Sequence, residues 1–228
     1  MIVRLHNLSA RPPALSDLKA VVELQAACER ADVGVTNVSE EELENNWHMS
    51  GFVLKTDAWV IVTKKGQIVG YAEVRRSGEY QLTSLLRVHP DYLGRGIGTL
   101  LVWLTEERAR HLMHTMPSNQ RITLINVVSN LNPTAQHLIQ REGYTLAYHY
   151  WSLLIRTEEE ELEKQSFYRG EQRMANLVLD VRNCGYAEEE MRMGIYRIHQ
   201  YQVFEKELRG ACLPLPVTVG MGVDCISV

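Results

Sequence analysis

The sequence predicts a mixed α/β sheet flanked by helices, on three observations. Runs with strand character alternate with helical periods as far as about residue 156. The segment "AWVIVTKKGQIVGYAEV" contains two β-branched runs around Lys65-Gly66, the pattern of a hairpin. The segment "RITLINVV" is an unbroken apolar run, as expected of a strand buried on both faces.

Residues 2–6 alternate weakly and are expected to form a first strand. Ser16 can cap a helix in which Leu18, Val21 and Val22 share a face. Ser39 with Glu42 makes a capping box ahead of Leu43 and Trp47. After the hairpin, "EYQLTSLLRV" reads as a strand ending at His89-Pro90, where His89 is expected to cap locally. From Ile97 the positions Leu100, Leu101, Leu104 and Leu112 follow a helical period. Asn132-Pro133 opens a helix carrying Ala135, Leu138 and Ile139, stopped by Gly143. In the strand "YTLAYHYWSLLI", Tyr144, Tyr148 and Tyr150 alternate, so one face is expected to carry three phenols, with His149 on the other.

Beyond residue 156 the composition changes. "TEEEELEKQ" reads as an acidic helix start and "MANLVLDV" continues at helical spacing. "YAEEEMRMGIYRIHQYQVFEKELRG" has acids first, bases last and a closing glycine. Met191, Ile195, Ile198 and Leu208 line one helical face, so helix is expected, with a strand over 195–204 as the alternative. The chain therefore divides into residues 1–156 and a helical extension, 157–228, whose apolar face could join two copies in a homodimer. The tail "LPLPVTVGMGVDCISV" is apolar and broken by proline.

The 228 residues are 45% apolar and 23% charged, ordinary for a globular protein, and the net charge of −4 offers no basic field for nucleic acid. No apolar run approaches the roughly 20 residues of a membrane span, and "MIVRLHNLSARPP" has no signal-peptide core. Cys28, Cys184, Cys212 and Cys225 are scattered, so neither a metal site nor a disulfide framework is expected, and the cytoplasm is the default compartment.

The chemistry concentrates in "HPDYLGRGIG", residues 89–98, between a strand and a helix. The first amides of a helix lack intrahelical partners and carry the positive end of its dipole, and glycines open the approach to them. A diphosphate is the ligand such a turn suits. A P-loop is excluded because Thr99 follows Gly98 without a lysine. A dinucleotide fingerprint, and the NAD-dependent oxidoreductase it would imply, fits poorly, since Gly94, Gly96 and Gly98 are spaced G-x-G-x-G deep in the chain.

"LLRVHPDYLGRGIGTLLV" resembles the acetyl-CoA-binding motif of the GNAT superfamily of N-acyltransferases. "NLNPTAQHLIQREGY" resembles that family's second motif at Asn132, Ala135, Leu138, Gly143 and Tyr144. "GYTLAYHYWSLLI" is similar to the first domains of tandem, mycothiol-synthase-like members. The resemblance covers roughly residues 1–156. It implies the acyl-CoA N-acyltransferase fold, a mostly antiparallel twisted sheet between helices, and acetyl-CoA or another acyl-CoA as cosubstrate. Leu86 and Val88 would pair through their backbones with the pantetheine arm. Amides of Leu93, Gly94, Arg95, Gly96, Ile97, Gly98 and Thr99 would hold the pyrophosphate, Arg95 adding charge. Asn132 would bond the pantetheine or cap the helix. The activity implied is direct acyl transfer to an amine of a small molecule or peptide.

The chain departs from that pattern at the chemistry. Leu93 replaces the glutamine or arginine heading the glycine motif, and Ile139 replaces the tyrosine that protonates the leaving thiolate. Ser84 and Leu82 occupy the places where a strand carboxylate would act as base. The remaining candidates are Ser84 through a held water, Glu79 if a bulge re-aims it, and Tyr144 as surrogate acid. Glu73 is another nearby carboxylate but is expected to be an exposed strand residue, and Arg75-Arg76 is expected to be a solvated hairpin end, with help to an anionic acceptor as the alternative. The alternative to an enzyme is a catalytically silent acyl-CoA-binding sensor.

Overall fold

The computed structural model describes residues 4–5, 7–34, 36, 38–155, 174–175 and 195–210. The chain runs through β1 (Arg4–Leu5), β2 (Leu8–Arg11), α1 (Leu18–Val33), α2 (Glu40–Trp47), α3 (Leu54–Asp57), β3 (Ala58–Thr63) and β4 (Ile68–Arg76). It continues through β5 (Gln81–Val88), α4 (Ile97–Met113), β6 (Ile122–Ser129), α5 (Pro133–Arg141), β7 (Thr145–Ile155), β8 (Met174–Ala175) and β9 (Ile195–Arg209). Among the described residues the strands form one sheet in the order β1-β2-β3-β4-β5-β6-β9-β7-β8. Every neighbouring pair is antiparallel except β5 with β6.

Local sequence accounts for most of these elements. Gly66 at φ 83° turns the β3–β4 hairpin. Ser39 caps α2 by accepting the Glu42 amide, and Gly34 ends α1 in the left-handed conformation. The expected first strand is two short ones, because Asn7 takes φ 71° between them.

Two apolar layers cover the sheet. On one face Val21, Leu24 and Cys28 of α1 and Leu43 and Trp47 of α2 pack on Val60, Val62 and Tyr71. On the other, Val102 and Ala109 of α4 and Ile139 of α5 pack on Val74, Leu82, Leu124 and Phe204. Full burial of each such side chain contributes roughly 1.5–3 kcal/mol.

The C-terminal helix is overturned. Ile195–Arg209 is a strand, placed between β6 and β7 and paired with both. The sheet would otherwise leave two long edges unpaired in its interior, and β9 satisfies both with aromatic and β-branched residues such as Tyr201, Val203 and Phe204. Helical spacing of Ile195, Ile198 and Leu208 was coincidental; the strand kept as the alternative for 195–204 is the one that forms. A boundary at residue 156 is not one the sheet respects, and the expected dimer surface loses its basis over 195–209. The remaining expectations for the extension and tail fall on 156–173, 176–194 and 211–228, outside the described residues.

The face of three phenols is corrected too. The pairing of β7 with β9 slips between Leu146 and Tyr148, which oppose the adjacent residues Phe204 and Val203. This bulge reverses the side-chain alternation. Tyr144 enters the layer under α4 and α5, whereas Tyr150 lies on the opposite face beside Tyr201.

Candidate functional site

The parallel strands β5 and β6 pair only over Gln81–Ser84 with Thr123–Asn126, although β5 runs on to Val88 and β6 to Ser129. Beyond Ser84 and Asn126 the two strands are unpaired with each other. Alternation decides which backbone groups face that gap. The His89 amide bonds to Val69, so His89, Arg87 and Leu85 direct their backbone groups at β4. Leu86 and Val88 therefore direct theirs away from β4, toward β6. The Val88 carbonyl accepts the Cys28 thiol at 3.2 Å, and the Leu86 carbonyl accepts Nη1 of Arg87 at 3.0 Å. The backbone positions expected to receive an extended ligand thus line an opening that keeps β5 and β6 apart.

At the end of β5 the chain enters a short turn, Pro90–Tyr92, where His89 caps locally by accepting the Asp91 amide. Gly94 and Gly96 follow at φ 72° and 78°, and a Cβ at either would meet only open space. Their role is conformational, since that backbone region is strained for an L side chain. Gly98 differs: a Cβ there would lie 2.7 Å from Leu138, so this glycine lets α4 approach α5. No side chain caps α4, and its first intrahelical bond is donated by Leu100 to Gly96. The amides of Ile97, Gly98 and Thr99 consequently carry the unpaired positive end of a 17-residue helix. Leu93 is exposed, and Arg95 lies over the Tyr92 ring at 4.6 Å while donating to the Asp91 carbonyl. The Thr99 hydroxyl accepts from Arg141 at 2.7 Å.

Asn132 is committed at both ends of its side chain. Its Oδ1 caps α5 by accepting the Ala135 amide at 2.9 Å, and its Nδ2 donates to Asp32 of α1 at 2.9 Å. The cap is thus also a strut holding the end of α1 near the open ends of β5 and β6.

Polar groups gather beneath the last β5–β6 pair. Ser84 is 3% exposed and donates to the Ile125 carbonyl. Asn126, opposite it, is 2% exposed, and its Nδ2 has no partner among the described residues. The Tyr144 hydroxyl is likewise buried without a well-formed hydrogen bond, with the side chains of Asn126 and Glu106 close to it. Burial, with the Glu106 carboxylate nearby, pushes the phenol far above its usual range, so it stays protonated. Ile139 is buried in the same layer. Glu79 does not join this group: it is exposed in the turn before β5, at the closed end of the ladder, beside Tyr80.

The expectation for Glu73 and Arg75 is overturned. Glu73 is 5% exposed and accepts from Tyr71 and Arg75; Trp47 donates to the Tyr71 hydroxyl at 2.9 Å, and Arg75 lies over Phe52. This buried set ties α2 to β4. Arg76 alone is at the surface. Sequence reading missed Asn126, Cys28 and Tyr201, because only the pairing of remote strands and the packing of α1 bring them to the opening. Among the described residues no group of His, Cys, Asp or Glu is arranged to hold a metal, and no helix is long and apolar enough to cross a membrane.

Known proteins share this arrangement. The structure is similar to a GCN5-related N-acetyltransferase from Sphaerobacter thermophilus, with a TM-score of 0.73 at 19% identity, covering 91% of this chain and 98% of that one. It is also similar to a phosphinothricin acetyltransferase from Sinorhizobium meliloti in complex with AcCoA (TM-score 0.57, 16% identity, 94% and 96% covered). A third is a spermidine N-acetyltransferase from Vibrio cholerae in complex with CoA and spermine (TM-score 0.52, 13% identity, 88% and 95% covered). These likenesses establish the fold. No curated protein matches the sequence. The family model described as the Acetyltransferase (GNAT) family matches residues 18–144, spanning α1 to the start of β7, and by that match the chain belongs to the GNAT family.

Proposed function

We propose that the protein transfers an acetyl or other short acyl group from CoA directly to an amine. The observation that carries this reading is the gap between β5 and β6 ending at the uncapped, glycine-led start of α4. An acyl-CoA fits both features. The amides of Leu86 and Val88, whose carbonyls already accept Arg87 and Cys28, face the gap and are available to an extended pantetheine arm. Amides of Ile97, Gly98 and Thr99, entered through Leu93 to Gly96, suit a diphosphate, with Arg95 close by. Asn132 then acts by positioning, through α5 and Asp32.

When bound, acyl-CoA supplies an activated thioester. The amine nitrogen forms a bond to the acyl carbon, the carbon–sulfur bond breaks with its electron pair going to sulfur, and the proton lost by nitrogen balances the charge on the thiol. Holding the amine in line supplies a large share of such a rate. Ser84 and Tyr144 are the candidate hydroxyl groups by the ladder end. Tyr144 is the proposed proton donor because its buried hydroxyl has no well-formed hydrogen bond to compete, although burial by itself makes the phenol a weaker acid. Glu79 takes no part in this reading. Calorimetry with acetyl-CoA, followed by thiol release over a panel of amines, tests it. Binding with turnover of at least one amine is expected; binding with no turnover would instead support a silent acyl-CoA-binding module, and absence of binding would refute both.

A further inference from the structure

The opening has a second lining, on the face covered by α1. Arg87 pairs with Tyr71, whose ring belongs to the α1–α2 layer, so both side chains stand on that face. The last β5–β6 pairs share one offset, Thr83 with Ile125 and Ser84 with Asn126. Carried along the diverging strands, it sets Arg87 across the gap from Ser129. Ser129 in turn opposes Tyr201, and Tyr201 opposes Tyr150. Arg87, the gap, Ser129, Tyr201 and Tyr150 thus form one row across the sheet.

The far side of that row is a pair of stacked phenol rings, with centroids 5.2 Å apart and planes 18° from parallel. Burial raises both phenols, Tyr150 to about 12, and the Arg87 charge acts against this at each of them, so the guanidinium stands within charge range of both rings. On the rim, Cys28 reaches the Val88 carbonyl, and Asp32 is held by Asn132. Glu29 also faces Tyr201. Among the described residues no carboxylate forms an ion pair with Arg87, whose bond to the Leu86 carbonyl uses one of its donors. A partly buried guanidinium with no ion pair among the described residues, beside an opening whose rim carboxylates Glu29 and Asp32 lie near Tyr201, is suited to an oxyanion from outside.

Building on the acyl-transfer reading, we propose that Arg87 is a specificity residue that holds the acceptor by an oxyanion, so that the preferred acceptor is a small amine bearing a carboxylate or similar group a few bonds from its nitrogen. The stacked faces of Tyr150 and Tyr201 wall the remainder of the molecule. Strand rise of about 3.3 Å per residue puts Arg87 about 10 Å along β5 from the ladder end at Ser84. A fixed positive charge at that distance favours amino acids over long polyamines, whose second cation it would repel. The bond exchange is that of the acyl transfer itself; Arg87 takes no proton and holds only the anionic end.

The test uses the full chain with saturating acetyl-CoA and matched pairs of acceptors: phenylalanine against phenethylamine, methionine against 3-(methylthio)propylamine, and glycine and aminomethylphosphonate against methylamine, with spermidine as the long cation. Thiol release is expected to favour an anionic member by about 10-fold or more in kcat/KM, the scale of a charged hydrogen bond. Arg87→Gln should raise KM for that member about 10–100-fold, leave kcat within a few-fold and bring the pair toward parity. Arg87→Lys should recover some of the preference, and melting curves report whether each variant is folded. Turnover of a plain amine or spermidine as fast as the anionic acceptors, an unchanged ratio in Arg87→Gln, or turnover of none of the anionic acceptors would overturn the proposal. Absence of acetyl-CoA binding, or binding with no turnover of any amine, would instead strike the acyl-transfer reading, and calorimetry together with the plain amines distinguishes the two.

Discussion

Helices α4 and α5 each follow the C-terminal end of a strand, β5 and β6, and their first turns are built in opposite ways. Asn132 closes α5 with its Oδ1, and Pro133 at the next position has no amide to satisfy. Gly96 heads α4 at φ 78° with no side chain above Ile97, Gly98 and Thr99. Ser39 closes α2 in the manner of Asn132. Glycine in place of a polar cap costs only a few tenths of a kcal/mol, so the open end sacrifices little stability. It leaves the amides free for an anion, whereas the closed end has committed them to holding the fold. The difference separates a helix start left open from one that holds α1, β6 and α5 together.

Gly96→Glu should break the comparison most severely. A carboxylate enters the turn where an anion is expected, and acetyl-CoA affinity should fall more than about 100-fold by calorimetry. Gly96→Ala supplies the control: it meets open space but carries a left-handed φ, so about 1–2 kcal/mol of stability should be lost with binding largely kept. If both variants lose binding equally, conformation and not charge governs the turn.

Asn132→Ala should show the reverse profile. Loss of the cap and of the Asp32 link should cost about 1–2 kcal/mol in denaturant or thermal unfolding, with acetyl-CoA affinity changed only a few-fold. A loss of affinity beyond about 10-fold at unchanged stability would make this side chain a ligand contact.

Cys28 tests the rim that α1 contributes. Burial holds its thiol up at about 11, against 9.0 for the free group. The unfolded chain therefore gives up this proton at lower pH than the folded one. The contribution to stability is complete below pH 9 and is lost as pH rises toward 11. Peptide-resolved alkylation at about pH 8 should find Cys28 slow, and acetyl-CoA, by filling the gap beside Val88, should slow it further. Fast alkylation without cosubstrate would place the thiol in an open channel.

The smallest effect should come from Gly98→Ala. Its Cβ meets only the far end of Leu138, which can shift, so a loss of about 1 kcal/mol or less is expected, with affinity preserved. A large loss of affinity would mean that Gly98 serves the ligand directly and not only the packing of α4 on α5.

Much of this architecture was legible in the residues. Hairpin, glycine turn and two of three caps are local features, each specified by a few neighbours, that emerged where expected: Gly66 between β3 and β4, Ser39 at α2, Asn132 at α5. Ser16, expected to cap α1, instead lies within a short 3-10 turn, Leu15–Asp17, ahead of it. The uncapped start of α4 at Gly96 was legible because a helix start needs only its own sequence to lack a cap, whereas the Leu93 amide, also expected to face an anion, donates to the Pro90 carbonyl. What misled was periodicity in segments with two readings. Ile195–Arg209 satisfies a helical period, yet the open interior edges of β6 and β7 took it as a strand. Tyr144 and Tyr150 alternate in sequence, yet one bulge at Leu146–Tyr148 sent them to opposite faces.

Short-range chemistry was therefore enough to establish the sheet-and-helix class, the phosphate-ready turn and the family motifs. Long-range pairing assigned the rest: the burial of Glu73 with Tyr71 and Arg75, the meeting of Ser84, Asn126 and Tyr144, and the row that sets Arg87 across from Tyr201. A cap or a turn is stabilised by groups a few residues away, so its signal is written beside it. A site assembled from β5, β6, β7, β9 and α1 depends on which remote strands find one another, and hydrogen-bond satisfaction across the whole sheet makes that choice.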